Sequence, residues 1–188
     1  MIDQAIEYVV SELNAYLNVR SPAIDRDRLV AGSLYKSDGN VNTETQNKIV
    51  LCVVNIEQDP VYRSVETYQR RGEGPAVRVR PEVKVNLYAL FVANLGKYQE
   101  ALKALSHIIA FFQNRSSFDY SHIPALADRR GRVVFEIFSL TFEQVNHLWG
   151  ALGAKYMPSV MYKVGIVDIV DAQIQAEIPP VEGIWVNA

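Results

Sequence analysis

The stretch VRVRPEVKVNLYALFVAN, residues 77–94, alternates apolar and polar side chains along a run about twice the length of an ordinary strand. Successive side chains of a strand point to opposite faces. Val77, Val79, Val83, Val85 and Leu87 therefore share one face, and Arg78, Arg80, Glu82, Lys84 and Asn86 the other, which is wet. From Tyr88 onward both faces are apolar, which predicts a covered half and a solvated half of one strand. Pro81 donates no ladder hydrogen bond and belongs at an edge or a bulge, so the solvated half is expected to leave the core as a projecting hairpin. Gly72, Gly74 and Pro75 supply its connection to the preceding arm.

Around this strand the periodicities alternate. Ile2, Ile6, Val9, Val10, Leu13 and Leu17 recur at helical spacing, with acids early, Arg20 late and Pro22 just beyond. Residues 21–47 are polar and turn-rich and read as a surface excursion, with RLVAGSLY as a candidate short strand. KIVLCVVNIEQD, 48–59, is a β-branched run buried on both faces, a central strand that Pro60 ends. A second helix carries Tyr98, Ala101, Leu102, Leu105, Ile108, Ile109 and Phe112 on its apolar stripe. GRVVFEIFSL, 131–140, is a strand, and Thr141 and Gln144 have capping-box spacing at the start of a third helix. PSVMYKVGIVDIVD, 158–171, is the last strand, and 172–188 form an extended tail. The order gives one α+β domain over residues 1–188: a largely antiparallel sheet, about three helices packed on it, one long projecting β-hairpin and the tail.

Polar chemistry does not converge. His107, His122 and His147 are far apart and lack a second ligand at metal spacing, so each reads as structural or surface histidine. Asp168 and Asp171, three apart in a strand, face opposite ways. RRGEGP lacks the strand-to-helix setting of a phosphate loop and reads as a turn. Cys52, the single cysteine, lies in an apolar run as a small buried hydrophobe. No catalytic, cofactor or metal residues are assigned. With 19 basic and 21 acidic residues the net charge is -2, so no nucleic-acid field is expected. No stretch approaches a membrane span and the N-terminus lacks a basic start, so folding in the cytoplasm without an export signal is expected.

What stands out instead are means of assembly. Arg70, Arg71, Arg78 and Arg80 cluster on the hairpin, and Arg129, Arg130 and Arg132 in the loop before the 131–140 strand. Forked guanidinium groups suit carboxylates on protein partners, and solvated loop charge is the alternative. Trp185, between apolar neighbours after two prolines, either covers its own core or anchors a neighbour.

Two further stretches, VKVNLYALFVANLGKYQEALKALSHIIAFFQN and LWGALGAKYMPSVMYKVGIVDI, resemble the cap, or tail-terminator, proteins of extracellular contractile injection systems. These are phage-tail-like particles whose caps share an N-terminal domain. The second stretch carries the pattern in order as Leu148, Trp149, Leu152, Gly153, Tyr156, Pro158, Ser159 and Tyr162. The first adds Asn86, Leu87, Tyr88, Phe91, Tyr98 and Phe112. The resemblance implies a structural role without cofactor or turnover. Copies would form a homo-oligomer, a sixfold ring at the baseplate-distal end, contact the last inner-tube and sheath subunits, and stop their growth. It implies assembly in a bacterial cytoplasm into a particle that can be released, with no membrane insertion. Pro158 and Ser159 are then expected to shape the turn between the third helix and the last strand. The hairpin of residues 62–88 or the tail at Trp185 is expected to make the intersubunit contacts, since an exposed strand edge templates another strand. The alternatives are a phage-type neck or tail-completion protein and a small-ligand-binding protein or enzyme of the same fold class.

Overall fold

The first helix forms where the stripe predicts it. Over Ile2–Arg20 (α1), Ala5, Ile6, Val9, Leu13 and Leu17 are buried, with Asp3 in the first turn and Arg20 in the last, as the helix dipole favours. The structure, a computed structural model, describes residues 2–20, 28–63, 67–70, 76–79, 83–128, 131–169 and 176–178; for 60–63, 67–70, 76–79, 83, 167–169 and 176–178 it describes the backbone.

Six strands form the main sheet: β1 (Leu29–Ala31), β2 (Lys48–Arg63), β5 (Val83–Asn94), β6 (Ser117–Asp119), β7 (Arg132–Ile137) and β8 (Ser159–Ile169). Their order is β1-β2-β5-β8-β7-β6, with every pair antiparallel except β1 and β2. Two further helices, α2 (Tyr98–Asn114) and α3 (Phe142–Ala151), complete the α+β fold. A second, three-stranded antiparallel sheet joins β3 (Thr67–Arg70), β4 (Ala76–Val79) and β9 (Ala176–Ile178), so the tail adds a strand to the β3–β4 pair. Gly72, Gly74, Pro75 and Pro81 lie outside the described residues.

The covered half of β5 behaves as its sequence predicts. Leu87, Ala89, Phe91 and Ala93 enter the core under α1 and α2, whereas Leu90 and Val92 enter a second cluster with Trp149 of α3. Period-two alternation thus serves two cores at once, one on each face. The larger core is rich in rings: Phe112 stacks on Phe135 at 4.4 Å between centroids, and Phe91 meets Tyr162 edge-on at 5.7 Å. The predicted capping box of α3 is present, Thr141 Oγ1 accepting from the Gln144 amide at 3.3 Å and Gln144 Oε1 from the Thr141 amide at 2.9 Å.

Several expectations need correction. Pro60 does not end β2, which runs to Arg63; the pairing register with β5 jumps between Gln58 and Arg63, and Pro60 falls where the ladder is already interrupted and no donor is required. Burial of β2 on both faces stops at Cys52, and beyond it Val53 and Ile56 are exposed. Part of the 21–47 excursion is core: Leu29 and Leu34 are buried, and Asn14 of α1 clamps Leu29 through two hydrogen bonds of 2.9 Å. Tyr98 and Leu102 are exposed, while Ala104 and Phe111 take their place in the buried stripe of α2. Asn86, assigned to a wet face, is buried opposite Gly165. Pro158 and Ser159 do not form the turn after α3. That turn is at Leu152 and Gly153, where Gly153 has φ of 63°, while Pro158 O accepts from the Ala93 amide at 2.9 Å and Ser159 opens β8 opposite Val92.

Candidate assembly interface

A strand edge left unpaired presents a row of backbone donors and acceptors to any passing chain. β1 is three residues long and pairs with Ile49, Val50 and Leu51 only. Just past it the Cys52 thiol donates to Gly32 O at 2.9 Å. From Val53 to Gln58 no strand among the described residues pairs with the outer side of β2. Val53 and Ile56 share a face with Ala89 and Leu87 through their pairing register, yet are 38% and 54% exposed, so this open edge is also apolar. On the opposite flank β6 covers β7 only over Arg132, Val133 and Val134, and Ile137 at the end of β7 is 58% exposed. Ile137, Leu140, Val145 and Trp149 help to line a groove of about 270 Å³ between α3 and the sheet. Phe142, the first residue of α3, is 97% exposed beside it in sequence.

The sequence-predicted interface residues divide. Arg132 is exposed at the start of β7, opposite Asp119 on β6. Arg70 ends β3 opposite Ala76, and Arg78 stands in β4 between Tyr68 and Ala176, both placed by backbone register. Arg71, Arg80, Arg129, Arg130 and Trp185 lie outside the described residues. The exposed apolar residues of the two flanks were not singled out from the sequence. Each sits inside a good strand pattern, and only the lengths of the neighbouring strands reveal that it is uncovered.

The motif residues do structural work on both faces of the sheet. Trp149 is buried in the α3 core and meets Tyr156 edge-on at 5.7 Å, leaving Tyr156 68% exposed. Tyr162 points into the other core, where burial pushes its hydroxyl up to about 12. Ser159 opens β8 opposite Val92, and Trp149 and Tyr162 place one ring in the core on each face of the sheet.

Reactive chemistry is sparse among the described residues. They hold no group of three or more histidine, cysteine or carboxylate side chains able to share a metal. Burial pushes the Cys52 thiol up to about 11, which leaves it un-ionised and unreactive near neutral pH. Tyr88 donates to Glu57 Oε1 at 2.7 Å, and that hydrogen bond raises the phenol above its ordinary value. His122 and His147 are exposed and separate from half-buried His107. No described helix is long and apolar enough to cross a membrane.

The family model of the Pvc16 N-terminal domain matches residues 4–183. Two solved structures share the fold. One is the tube-terminating cap of the anti-feeding prophage, with a TM-score of 0.56 and 14% identity over 94% of this chain. The other is the sheath/tube terminator, in its extended state, of an extracellular contractile injection system, PVC, with a TM-score of 0.56 and 16% identity over 94% of this chain. The chain spans 58% and 61% of the lengths of those two proteins. No curated protein matches it in sequence.

Proposed function

Because this chain belongs to the Pvc16 N-terminal domain family, we propose that it caps a contractile, phage-tail-like injection particle, ending tube and sheath growth at the end far from the baseplate. The observation that carries this reading is the fold likeness to two terminators across 94% of the chain. Residues 1–188 act as one cap domain whose role is structural, with neither turnover nor cofactor.

In this reading copies of the chain form a sixfold ring. Contacts made head to tail use two different patches, and they close when the rotation per subunit divides a full turn. The two flanks of the sheet supply two such patches: the open edge of β2 with Val53 and Ile56, and the end of β7 with Ile137. A subunit of the last sheath or tube layer completes one strand edge, and arginines of the hairpin, Arg70, Arg71, Arg78 and Arg80, with Arg129, Arg130, Arg132 and the tail at Trp185, dock against that layer. Ring closure and the end of stacking remain separate requirements, because the outward surface must offer no site for a further layer.

Location tests the proposal. Particles carrying an epitope-tagged copy, labelled with gold and viewed by electron microscopy, should show label at a single end, opposite the baseplate. Label along the whole particle, or at the baseplate, overturns it.

A further inference from the structure

We infer that the outer edge of β3 pairs with the outer edge of β9 in the next copy of the chain, in parallel, so that a backbone ladder joins the copies. The inference rests on the ring proposed above and names the contact that closes it. In chain order, β3 follows β2 across 64–66, β4 leads into β5 across 80–82, and β9 follows β8 across 170–175. The order β3-β4-β9 therefore repeats the order β2-β5-β8 at the centre of the main sheet. The strands flanking that centre stop early: β1 pairs with β2 as far as Leu51, and β7 with β8 as far as Ile166. The central three continue, β2 with β5 to Arg63 and Val83, and β5 with β8 to Val83 and Ile169. The small sheet thus ends in β3 on the strand that succeeds β2 and in β9 on the strand that succeeds β8. Among the described residues neither β3 nor β9 pairs on its outer side.

Direction and charge choose the second copy as the occupant of each edge. β3 and β9 are both antiparallel to β4, so they run the same way. Rotation about a ring axis keeps every strand's direction along that axis, so β9 of one copy meets β3 of the next in parallel, a pairing whose hydrogen bonds are slanted but evenly spaced. β3, TYQR, contains the cation of Arg70, and β9, AEI, contains the anion of Glu177. Unlike edges therefore carry opposite charge. Two β3 edges, or two β9 edges, would instead bring like charges together, which is destabilising and disfavours a twofold contact. The main sheet agrees in sidedness: the open edge of β2 and the end of β7, the two patches assigned to the ring, belong to the same two flanks as β3 and β9. A closed ring leaves neither edge of the small sheet as a template for a further strand.

Cysteine pairs test the contact. Within one copy β4 stands between β3 and β9, which puts them two strand spacings apart, about 9–10 Å. A disulfide spans at most roughly 7 Å between Cα atoms, so a bond from β3 to β9 forms only between copies. Tyr68→Cys and Ala176→Cys are combined in one chain, oxidised both in the purified chain and in intact particles, and run on a non-reducing gel. Gln69→Cys and Arg70→Cys, each with Glu177→Cys or Ile178→Cys, cover the neighbouring registers and replace any pair that fails to fold. For at least one pair the monomer band should be lost to linked dimers and a ladder ending at the size of the ring. Wild-type chain, with Cys52 alone, and each single substitution should stay monomeric. Monomer for every pair overturns the inference, and so does a dimer formed by a single substitution, which would mark like edge against like edge. The end-labelling experiment is read separately: label at one end without linkage keeps the cap reading and removes this contact, whereas linkage without end label keeps the contact and removes the cap reading.

Discussion

The two halves of the β2–β5 ladder are built from the same strands and live in different surroundings. In the near half, Ile49 to Cys52 against Leu90 to Ala93, every side chain is buried, with two helices on one face and α3 on the other. In the far half, Val53 to Gln58 against Val85 to Ala89, the outer edge has no strand partner among the described residues, and Val53 and Ile56 are exposed. Backbone pairing is continuous through both, apart from a register shift between Val53 and Asn55. The difference teaches that pairing alone does not make a core; coverage of both faces does. Stability should reside in the near half, and the far half should be available for contact.

The largest effect should come from emptying the near half. Phe91 is fully buried and touches the rings of Phe112 and Tyr162, so Phe91→Ala should cost about 3–5 kcal/mol in urea unfolding. A loss below 1 kcal/mol would dissolve the distinction between the halves. Next comes Gly131→Ala. A Cβ at Gly131 would stand 2.6 Å from Cε2 of the fully buried Tyr120, with no room for the ring to retreat, and should cost about 1–3 kcal/mol by the same measurement.

A pH series sharpens the comparison further. Cys52 and Tyr162 are acids held neutral by burial, with values raised from 9.0 to about 11 and from 10.0 to about 12. The folded chain keeps these protons after the unfolded chain has lost them, so stability is full below pH 9 and falls as pH rises through 9 to 12. Cys52→Ala should remove the part of that fall that begins near pH 9; an unchanged profile would place the thiol in water. The smallest effect on folding should come from the far half. Ile56→Lys, at a site 54% exposed, should change stability by less than about 0.5 kcal/mol. It should nonetheless sharply reduce incorporation into particles, because a lysine on an edge strand obstructs pairing. Normal incorporation would remove the β2 edge from the assembly contacts.

Much of this architecture was legible in the sequence, and the exceptions have physical causes. The helical stripe of α1, the capping box of α3 and the two apolar faces of β5 beyond Tyr88 are local patterns, and all three appear in the structure. β1 falls within the candidate strand RLVAGSLY, but its parallel pairing with β2 depends on a neighbour 20 positions away, and β6, three residues long, is too short to display a period. Asn86 sits among alternating polar residues but is buried, because alternation names a face without saying what covers it. The open flanks were illegible for the same reason: Ile56 and Ile137 sit inside good strand patterns, and their exposure depends on distant parts of the chain. Trp149 and Tyr162 were picked out by resemblance, and only the register shows that they serve opposite faces of one sheet.

The most direct test of the cap reading is the length distribution of particles made with and without this chain, measured by electron microscopy. Termination predicts overlong, ragged or sheathless tubes when the chain is removed, and restored lengths when it is supplied again. Unchanged lengths and intact ends in its absence would contradict the account.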